Sequence, residues 1–394
     1  MTDQPTDTFA NPTTSSTRRT STLRDERIAA IIGIALGGAF AICFVTGVLS
    51  YIAQDPNSWF TWPSRPAGFY RLTQGLHVTT GIASIPLVLA KLWVVYPKLF
   101  QWPPVRSFSH AVERIALLPL VGSSLLLVFT GLANINIYRP WEFSFRSGHY
   151  AASWIAIGSM VIHVSAKWLT LRTALRRTSS ADVIAAVVPS SVPDGGLERR
   201  NFLGTVFATS AALALFTVGQ TFAPLRRLAL LAPRRPDVGP QGFPVNRTAV
   251  SVGLADVDLS TWRLVIDGPG VGSALEFTYD ELRAMPQHEA TLPIACVEGW
   301  STTQRWRGVR VRDLLDAAGV GRGAHALVHS ITESSRSRTS PLNSSQARDR
   351  DTLLALDVND EPLHPDHGFP IRLIGPNRPG VQQTKWVGRI EVLS

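Results

Sequence analysis

The stretch IAAIIGIALGGAFAICFVTGVLSYIA, residues 28–53, contains no Asp, Glu, Lys or Arg. A helix needs roughly 20 apolar residues to cross about 30 Å of hydrocarbon, so this run is long enough to span a membrane. Its glycines (Gly33, Gly37, Gly38 and Gly47) suit close helix packing in lipid. Four more charge-free stretches follow, at 72–90, 115–138, 147–166 and 201–225. The 394-residue chain is 45% hydrophobic and only 17% charged, too apolar for a disordered or an ordinary soluble protein. Its two cysteines, Cys43 and Cys296, lie far apart, one in the apolar half and one in the polar half, which excludes a disulfide scaffold.

The flanks orient the spans. Arg18, Arg19, Arg24 and Arg27, then Lys91, Lys98, Arg106 and Arg114, then Lys167, Arg172, Arg176, Arg177, Arg199 and Arg200 fall on one side. Only Arg65, Arg71, Arg139 and Arg146 fall on the other. Positive loops stay in the cytoplasm, so the N-terminus is expected inside a multi-pass cell-membrane protein, with everything after the fifth span outside. The net charge of +9 is then topological, and no nucleic-acid partner is expected.

The organisation read from this is a disordered cytoplasmic tail (1–27), a four-helix membrane unit (28–172), a cytoplasmic linker (173–200) and a fifth span (201–225). A stiff Pro-rich tether (226–240) and an extracytoplasmic domain (241–394) complete it. Within that domain, 262–267 and 370–374 read as strands and 311–318 as a helix. Thr278, followed by Glu281, forms a helix-opening capping box. The fold class is thus multi-domain: an all-α transmembrane bundle of five spans followed by an α+β domain. The run Glu198-Arg199-Arg200-Asn201-Phe202-Leu203-Gly204 resembles a twin-arginine export signal, which accompanies proteins that fold around a cofactor before export.

Histidines at membrane depth are costly and usually functional. His77 lies in the second span, His149 and His163 in the fourth, and His110 at the cytoplasmic entrance of the third. His149 and His163 fall within about 40° of one helix face and about 21 Å apart along it, spaced to serve one haem near each membrane surface. Two axial imidazoles give a six-coordinate, electron-transferring haem. The pattern resembles the four-helix membrane cytochromes b that serve periplasmic dehydrogenases. That resemblance implies haem b, one or two per chain: an outer haem shared by His77 and His149, and an inner haem on His163 with His110 as candidate partner. A single haem held by His77 and His163 is the alternative.

The run Ile294-Ala295-Cys296-Val297-Glu298-Gly299-Trp300-Ser301 is followed by Trp306-Arg307-Gly308-Val309 and Arg312-Asp313-Leu314-Leu315. Further on come His367-Gly368-Phe369-Pro370-Ile371-Arg372-Leu373 and Lys385-Trp386-Val387. Over 241–394 this order resembles the sulfite-oxidase-like molybdopterin oxidoreductases. The resemblance implies a Mo-molybdopterin cofactor with Cys296 as thiolate ligand and catalytic residue, a role that suits a soft sulfur donor. It also implies Arg372 and Lys385 for the pterin phosphate, with His367, Gln383, Thr384 and Asn246 beside them. Sulfite oxidases carry His where His367 stands, whereas the family's periplasmic methionine-sulfoxide reductases carry Asn.

The functional expectation is oxygen-atom transfer on a small oxyanion or sulfoxide outside the membrane. Electrons would pass through b-type haem to or from a quinone or other redox partner among the membrane lipids. The alternative is a membrane-anchored binding protein with a non-catalytic outer domain.

Overall fold

The computed structural model describes residues 23, 25–55, 60–100, 102, 105, 107–138, 140–141, 143–176, 195–332 and 338–393. The tail over 1–22 and the linker over 177–194 lie outside the described residues. Long helices come first: α1 (Glu26–Gln54), α2 (Phe69–Leu99), α3 (Phe108–Ile135), α4 (Phe145–Arg176) and α5 (Gly195–Val218). Caps fix two of their starts, Asp25 accepting from the Arg27 N–H and Ser107 from the His110 N–H. Helix α1 packs on α2, α3 on α4, and α2 on α5. Ile28, Ile32, Leu87, Ala90, Val94 and Val206 form a shared apolar seam. Val45, Leu118, Val161 and Leu169 point outward and are exposed.

Among the described residues four helices are long and apolar enough to cross a membrane: Glu26–Gln54, Phe69–Lys98, His110–Ile135 and Glu198–Val218. Five long helices stand where five spans were expected, and α4 is the one that falls short of this apolarity. The stretch 147–166 is helical within α4, but His149, Tyr150, Ser153, Ser159, His163 and Ser165 dilute its apolar character. Freedom from formal charge is a weaker property than hydrophobicity. The last long helix also ends at Val218, earlier than 225, and a 3-10 turn over Ala223–Leu228 follows.

The second half is built on two sheets. The first runs β2 (Leu275–Phe277), β1 (Leu264–Asp267), β10 (Val387–Leu393), β5 (His325–Ser330), β6 (Thr339–Leu342), with β1 and β10 parallel and the other pairs antiparallel. The second runs β3 (His288–Ala295), β4 (Ser301–Arg310), β7 (Leu353–Val358), β8 (Glu361–Pro362), and β9 (Arg372–Ile374) also pairs with β7. Short helices α6 (Tyr279–Ala284), α7 (Val311–Ala317) and α8 (Ser344–Arg348) cover them. Both hydrogen bonds of the Thr278–Glu281 capping box are formed at α6. Alternation in β1 buries Leu264 and Ile266 against Leu314, Leu315 and Ile390. A second apolar cluster gathers Phe243, Leu292, Cys296, Trp300, Trp306 and Ala355. Between the halves, 226–240 is no free tether: Arg234 bonds the Glu298 carboxylate at 3.0 Å and the Val245 carbonyl at 3.0 Å.

The halves share a seam. The α1–α2 connection brings Trp62 Nε1 to the Asn377 carbonyl (2.9 Å). The Asn377 side chain accepts from the Tyr70 N–H at 2.7 Å and donates to the Pro63 carbonyl at 2.8 Å. Arg65 pairs with Asp349 and Asp351, and Arg71 donates to Thr303. Asn377 is 1% exposed at φ +53°, a backbone conformation that Asn tolerates better than Ala. Asn377→Ala therefore leaves a buried N–H and a buried carbonyl without partners, at about 1–3 kcal/mol for each. The expected result is a lower unfolding temperature of the full chain in detergent. An unchanged transition would show that this seam bears no load.

Candidate functional site

Strand β3 ends at Ala295 and β4 begins at Ser301, so Cys296 opens a tight five-residue turn between two antiparallel neighbours. The turn is closed by Cys296 N–H to the Trp300 carbonyl (2.9 Å) and Gly299 N–H to the Cys296 carbonyl (3.1 Å). Gly299 sits at φ +100°, and a Cβ there would lie 2.8 Å from Val78 of α2, so only glycine fits.

The Cys296 side chain is 5% exposed. Its sulfur receives the Asn246 Nδ2–H at 2.9 Å and the Glu298 N–H at 3.5 Å. Burial, then the Glu298 carboxylate, push the thiol up to about 12 in the cofactor-free protein. Two N–H donors aimed at one sulfur favour its anion, and a coordinated metal deprotonates a thiol outright. Behind them runs a relay: Arg234 holds Glu298, while Trp300 Nε1 donates to both Glu298 (3.4 Å) and Asn246 (3.3 Å). Asn246 is thereby oriented by the turn it serves.

On the other flank of the same apolar cluster lie the cationic residues. His367 is 1% exposed, stacks on Phe243 at 3.6 Å and bonds the Pro240 carbonyl at 2.7 Å. Arg372 donates to the His367 carbonyl at 3.1 Å and rests over the Trp306 ring at 5.6 Å. Lys385 reaches the Arg247 and Asp366 carbonyls, each at 2.7 Å. Burial and the Arg372 charge lower Lys385 to about 7; burial lowers Arg372 to about 9; burial and these cations lower His367 to about 3. A buried group of mutually opposed cations is a receptacle for an anion. Arg372 Nε and Gln383 Oε1 are buried without a hydrogen-bond partner, while the Gln383 amide nitrogen bonds the Pro293 and Arg378 carbonyls. Thr384 is engaged with Ser340. Orphaned polar atoms, a donor-framed thiol and a cation cluster fit a phosphate-bearing cofactor with a thiolate-bound metal.

In the helical half the structure brings His77 and His149 together, ring centroids 6.0 Å apart and planes at 64°. Two metal–nitrogen bonds of about 2 Å each, plus the two half-rings, fill such a gap. The outer nitrogens are spoken for. His77 Nδ1 meets the Cys43 carbonyl at 2.9 Å, which obliges it to donate. His149 Nδ1 meets Thr130 Oγ1 at 2.8 Å, whose own hydrogen goes to the Leu126 carbonyl at 2.6 Å. Both imidazoles therefore carry the proton on Nδ1 and the lone pair on Nε2, the tautomer a metal requires. Glycine flanks each ring: a Cβ on Gly47 would come within 3.2 Å of His77, and one on Gly131 within 3.7 Å of His149. These residues fit a haem iron.

His163 stands half-buried further along α4, and His110 in the first turn of α3. A cleft at the seam, lined by Asp55, Trp62, His325, Asn343 and Gln346 among others, is separate from Cys296. Sequence reasoning missed Gln74, whose side chain reaches the turn from α2. Its signal was present as an amide inside the second charge-free run, three residues before His77.

Residues 251–394 match the family described as oxidoreductase molybdopterin binding domain. Mouse mitochondrial sulfite oxidase is 30% identical over 177 residues, 38% of this chain and 32% of that protein. An uncharacterized oxidoreductase of Bacillus subtilis, YuiH, is 33% identical over 136 residues, 34% of this chain and 66% of that protein. Barley NAD(P)H nitrate reductase is 33% identical over 165 residues, 34% of this chain and 18% of that protein. Among solved structures, the sulfane dehydrogenase SoxCD from Paracoccus pantotrophus aligns at 26% identity with a TM-score of 0.32, covering 35% of this chain and 39% of that one. The chain spans about a third of the length of the sulfite oxidases it matches. Over residues 251–394 the chain is thus similar to molybdopterin-binding oxidoreductase domains of the sulfite oxidase kind.

Proposed function

We propose that the protein is a membrane-anchored molybdoenzyme acting on a small oxyanion or sulfoxide outside the cytoplasm, with a b-type haem between His77 and His149 linking it to a quinone or similar redox partner. The observation that carries this reading is the His77–His149 pair, 6.0 Å apart with both Nδ1 protons committed, His77 standing on the helix that touches the Cys296 turn. The outward apolar side chains of the helices and the skewed Lys and Arg distribution support the membrane anchor and its orientation.

In this reading Cys296 holds the molybdenum, Asn246 and the Glu298 N–H steady its thiolate, and Arg372 and Lys385 neutralise the pterin phosphate. His367, Gln383 and Thr384 line the same cofactor. A molybdenum-pterin bound there supplies oxygen-atom transfer, and a bis-imidazole haem supplies one-electron relay. The reaction balances as substrate plus water giving oxygenated substrate, two protons and two electrons, or the reverse. Arginines at the domain surface, Arg305 and Arg307 among them, make its approach favourable to anions.

Purified protein from a host that makes the cofactor should carry molybdenum near one per chain and a haem spectrum with paired histidine ligation. His77→Ala or His149→Leu should abolish that haem band while molybdenum remains, and Cys296→Ala should abolish turnover while the haem remains. Protein without molybdenum would point to a non-catalytic binding domain instead.

The cation cluster makes a second prediction. Below about pH 7 the folded, cofactor-free protein must hold Lys385 charged beside Arg372, whereas the unfolded chain carries that charge up to its ordinary pKa of about 10.4. Stability of the cofactor-free form therefore rises with pH from about 7 towards 10, in proportion to the protons the unfolded state holds in excess. Lys385→Met should remove that slope and raise the unfolding temperature of the cofactor-free protein, yet lower the pterin retained on purification. Equal pterin retention would remove Lys385 from the phosphate site.

A further inference from the structure

We propose that Gln74 is a positioning residue that clamps the Cys296–Trp300 turn onto the helix carrying His77, so that the thiol and the imidazole are held at one fixed separation. The inference rests on the haem reading above and goes beyond it by naming the device that couples the halves. Gln74 is 6% exposed. Its Nε2–H donates to the Val297 carbonyl at 3.2 Å, the residue next to Cys296. Its Oε1 accepts from the Ser50 hydroxyl of α1 at 3.2 Å, so both ends of the amide are assigned and its orientation is fixed. Ser50 is itself tied to Tyr70 at 3.1 Å and to Gln54 at 3.0 Å, which anchors the amide to two helices.

Three further contacts meet the same turn from the helical side. Val78, adjacent in sequence to His77, packs against Gly299 so closely that a Cβ there would overlap it. Thr221, just beyond α5, donates its hydroxyl to the Gly299 carbonyl at 3.0 Å. The Gln220 carbonyl accepts from the Ser301 N–H at 2.8 Å, and the Gln220 side chain, 2% exposed, has neither polar end bonded. Val297 and Gly299 lie in the turn and Ser301 opens the strand after it, and each is held by a group from α2 or from just after α5. Gln74 precedes His77 by three residues, less than one turn or about 4.5 Å along the helix axis. A single rigid helix segment thus carries the histidine and grips the turn that begins with the cysteine.

The test uses the full-length protein with Gln74→Leu, which keeps the bulk and removes the donor, and Thr221→Val, which removes the neighbouring bond. Hydrogen–deuterium exchange is followed at the amides of residues 297–301 in detergent, a measurement that needs no cofactor. In parallel, haem reduction or oxidation is timed with whichever of sulfite and methionine sulfoxide exchanges electrons with the wild-type haem. The same substrate is also assayed with a soluble dye as electron partner. Gln74→Leu should speed exchange in the turn and slow the haem-linked rate by about tenfold or more, the scale of a small misplacement of a fixed geometry. Molybdenum, haem and the dye-linked rate should remain, a split that general misfolding does not produce. Thr221→Val should show the same split in milder form. Unchanged exchange at 297–301, or an unchanged haem-linked rate, in Gln74→Leu overturns the clamp. If Gln74→Leu does not accumulate, Thr221→Val decides by the same two readouts. Wild-type protein that turns over neither substrate with the dye overturns the enzymatic reading, and the exchange arm alone then decides the clamp.

Discussion

A peptide carbonyl taken out of water has to find a donor, and for Val297 that donor comes from the other half of the molecule, the Gln74 amide of α2. The constraint is severe because the turn from Cys296 to Trp300 is itself over-determined. Its ends are fixed by the β3–β4 ladder, its interior by Gly299 at φ +100°, and its cysteine by Asn246. A loop with so few free torsions transmits position instead of absorbing it. Whatever grips Val297 and Gly299 from below sets where the whole turn sits relative to α2, while Asn246 and the Glu298 N–H frame the sulfur within it.

That geometry explains what was and was not legible in the sequence. The turn was legible because its residue types are chemical: a lone Cys at a strand end, then Glu, Gly and Trp in a fixed order. The capping box at Thr278 and Glu281 was legible because it is a three-residue pattern with one physical meaning. The helices were legible as uncharged runs, though freedom from formal charge does not measure apolarity, and the histidines and serines of α4 make it the least apolar of the five. The spacing of His149 and His163 was visible, and the pairing of His77 with His149 followed from a family resemblance. The seam was not legible. Trp62 with Asn377, Arg65 with Asp349 and Gln74 with Val297 join residues more than two hundred positions apart, and no local period records such pairs. How the tether is fastened was not legible for a related reason. Prolines announce stiffness, but the Arg234–Glu298 ion pair that fastens the segment depends on the fold of the distant turn.

The charges buried in the sheet-rich domain follow a different logic from its apolar core. Arg378 is 2% exposed and bonds only neutral acceptors, the Gln346 side chain and the Pro341 and Gln382 carbonyls. Burial lowers it to about 9, as it does Arg372. Buried guanidiniums without carboxylates are unfavourable to folding, and they persist where something else benefits. For Arg378 the benefit is structural, since its carbonyl partners come from β6 and from the turn before Gln383, and it ties both to α8. Both guanidiniums keep a buried Nε without a partner. Arg372 differs in standing near a second cation, Lys385, whose pKa its charge lowers. One arginine organises the backbone around itself; the other sits in a pair of like charges that an anion would relieve.

The two halves have little freedom to drift apart, and this bears on how electrons would be handed between them. A flexible linker sets an effective concentration that falls as its length grows. Here the connection between α5 and the sheet-rich domain is bonded along its course, through Thr221, Gln220 and Arg234, before the first sheet begins. Separation would expose Trp62, Tyr70 and Ala295, which form one buried cluster across the seam, and would strip Asn377 of its partners together. Contacts that break only as a group act cooperatively, so the docked arrangement is the resting state and not an encounter complex. In the proposed reading, a cofactor domain held this way would not need to find its redox partner. The rate would then depend on the packing between one cysteine turn and one helix, where Gly299 leaves no room for a side chain.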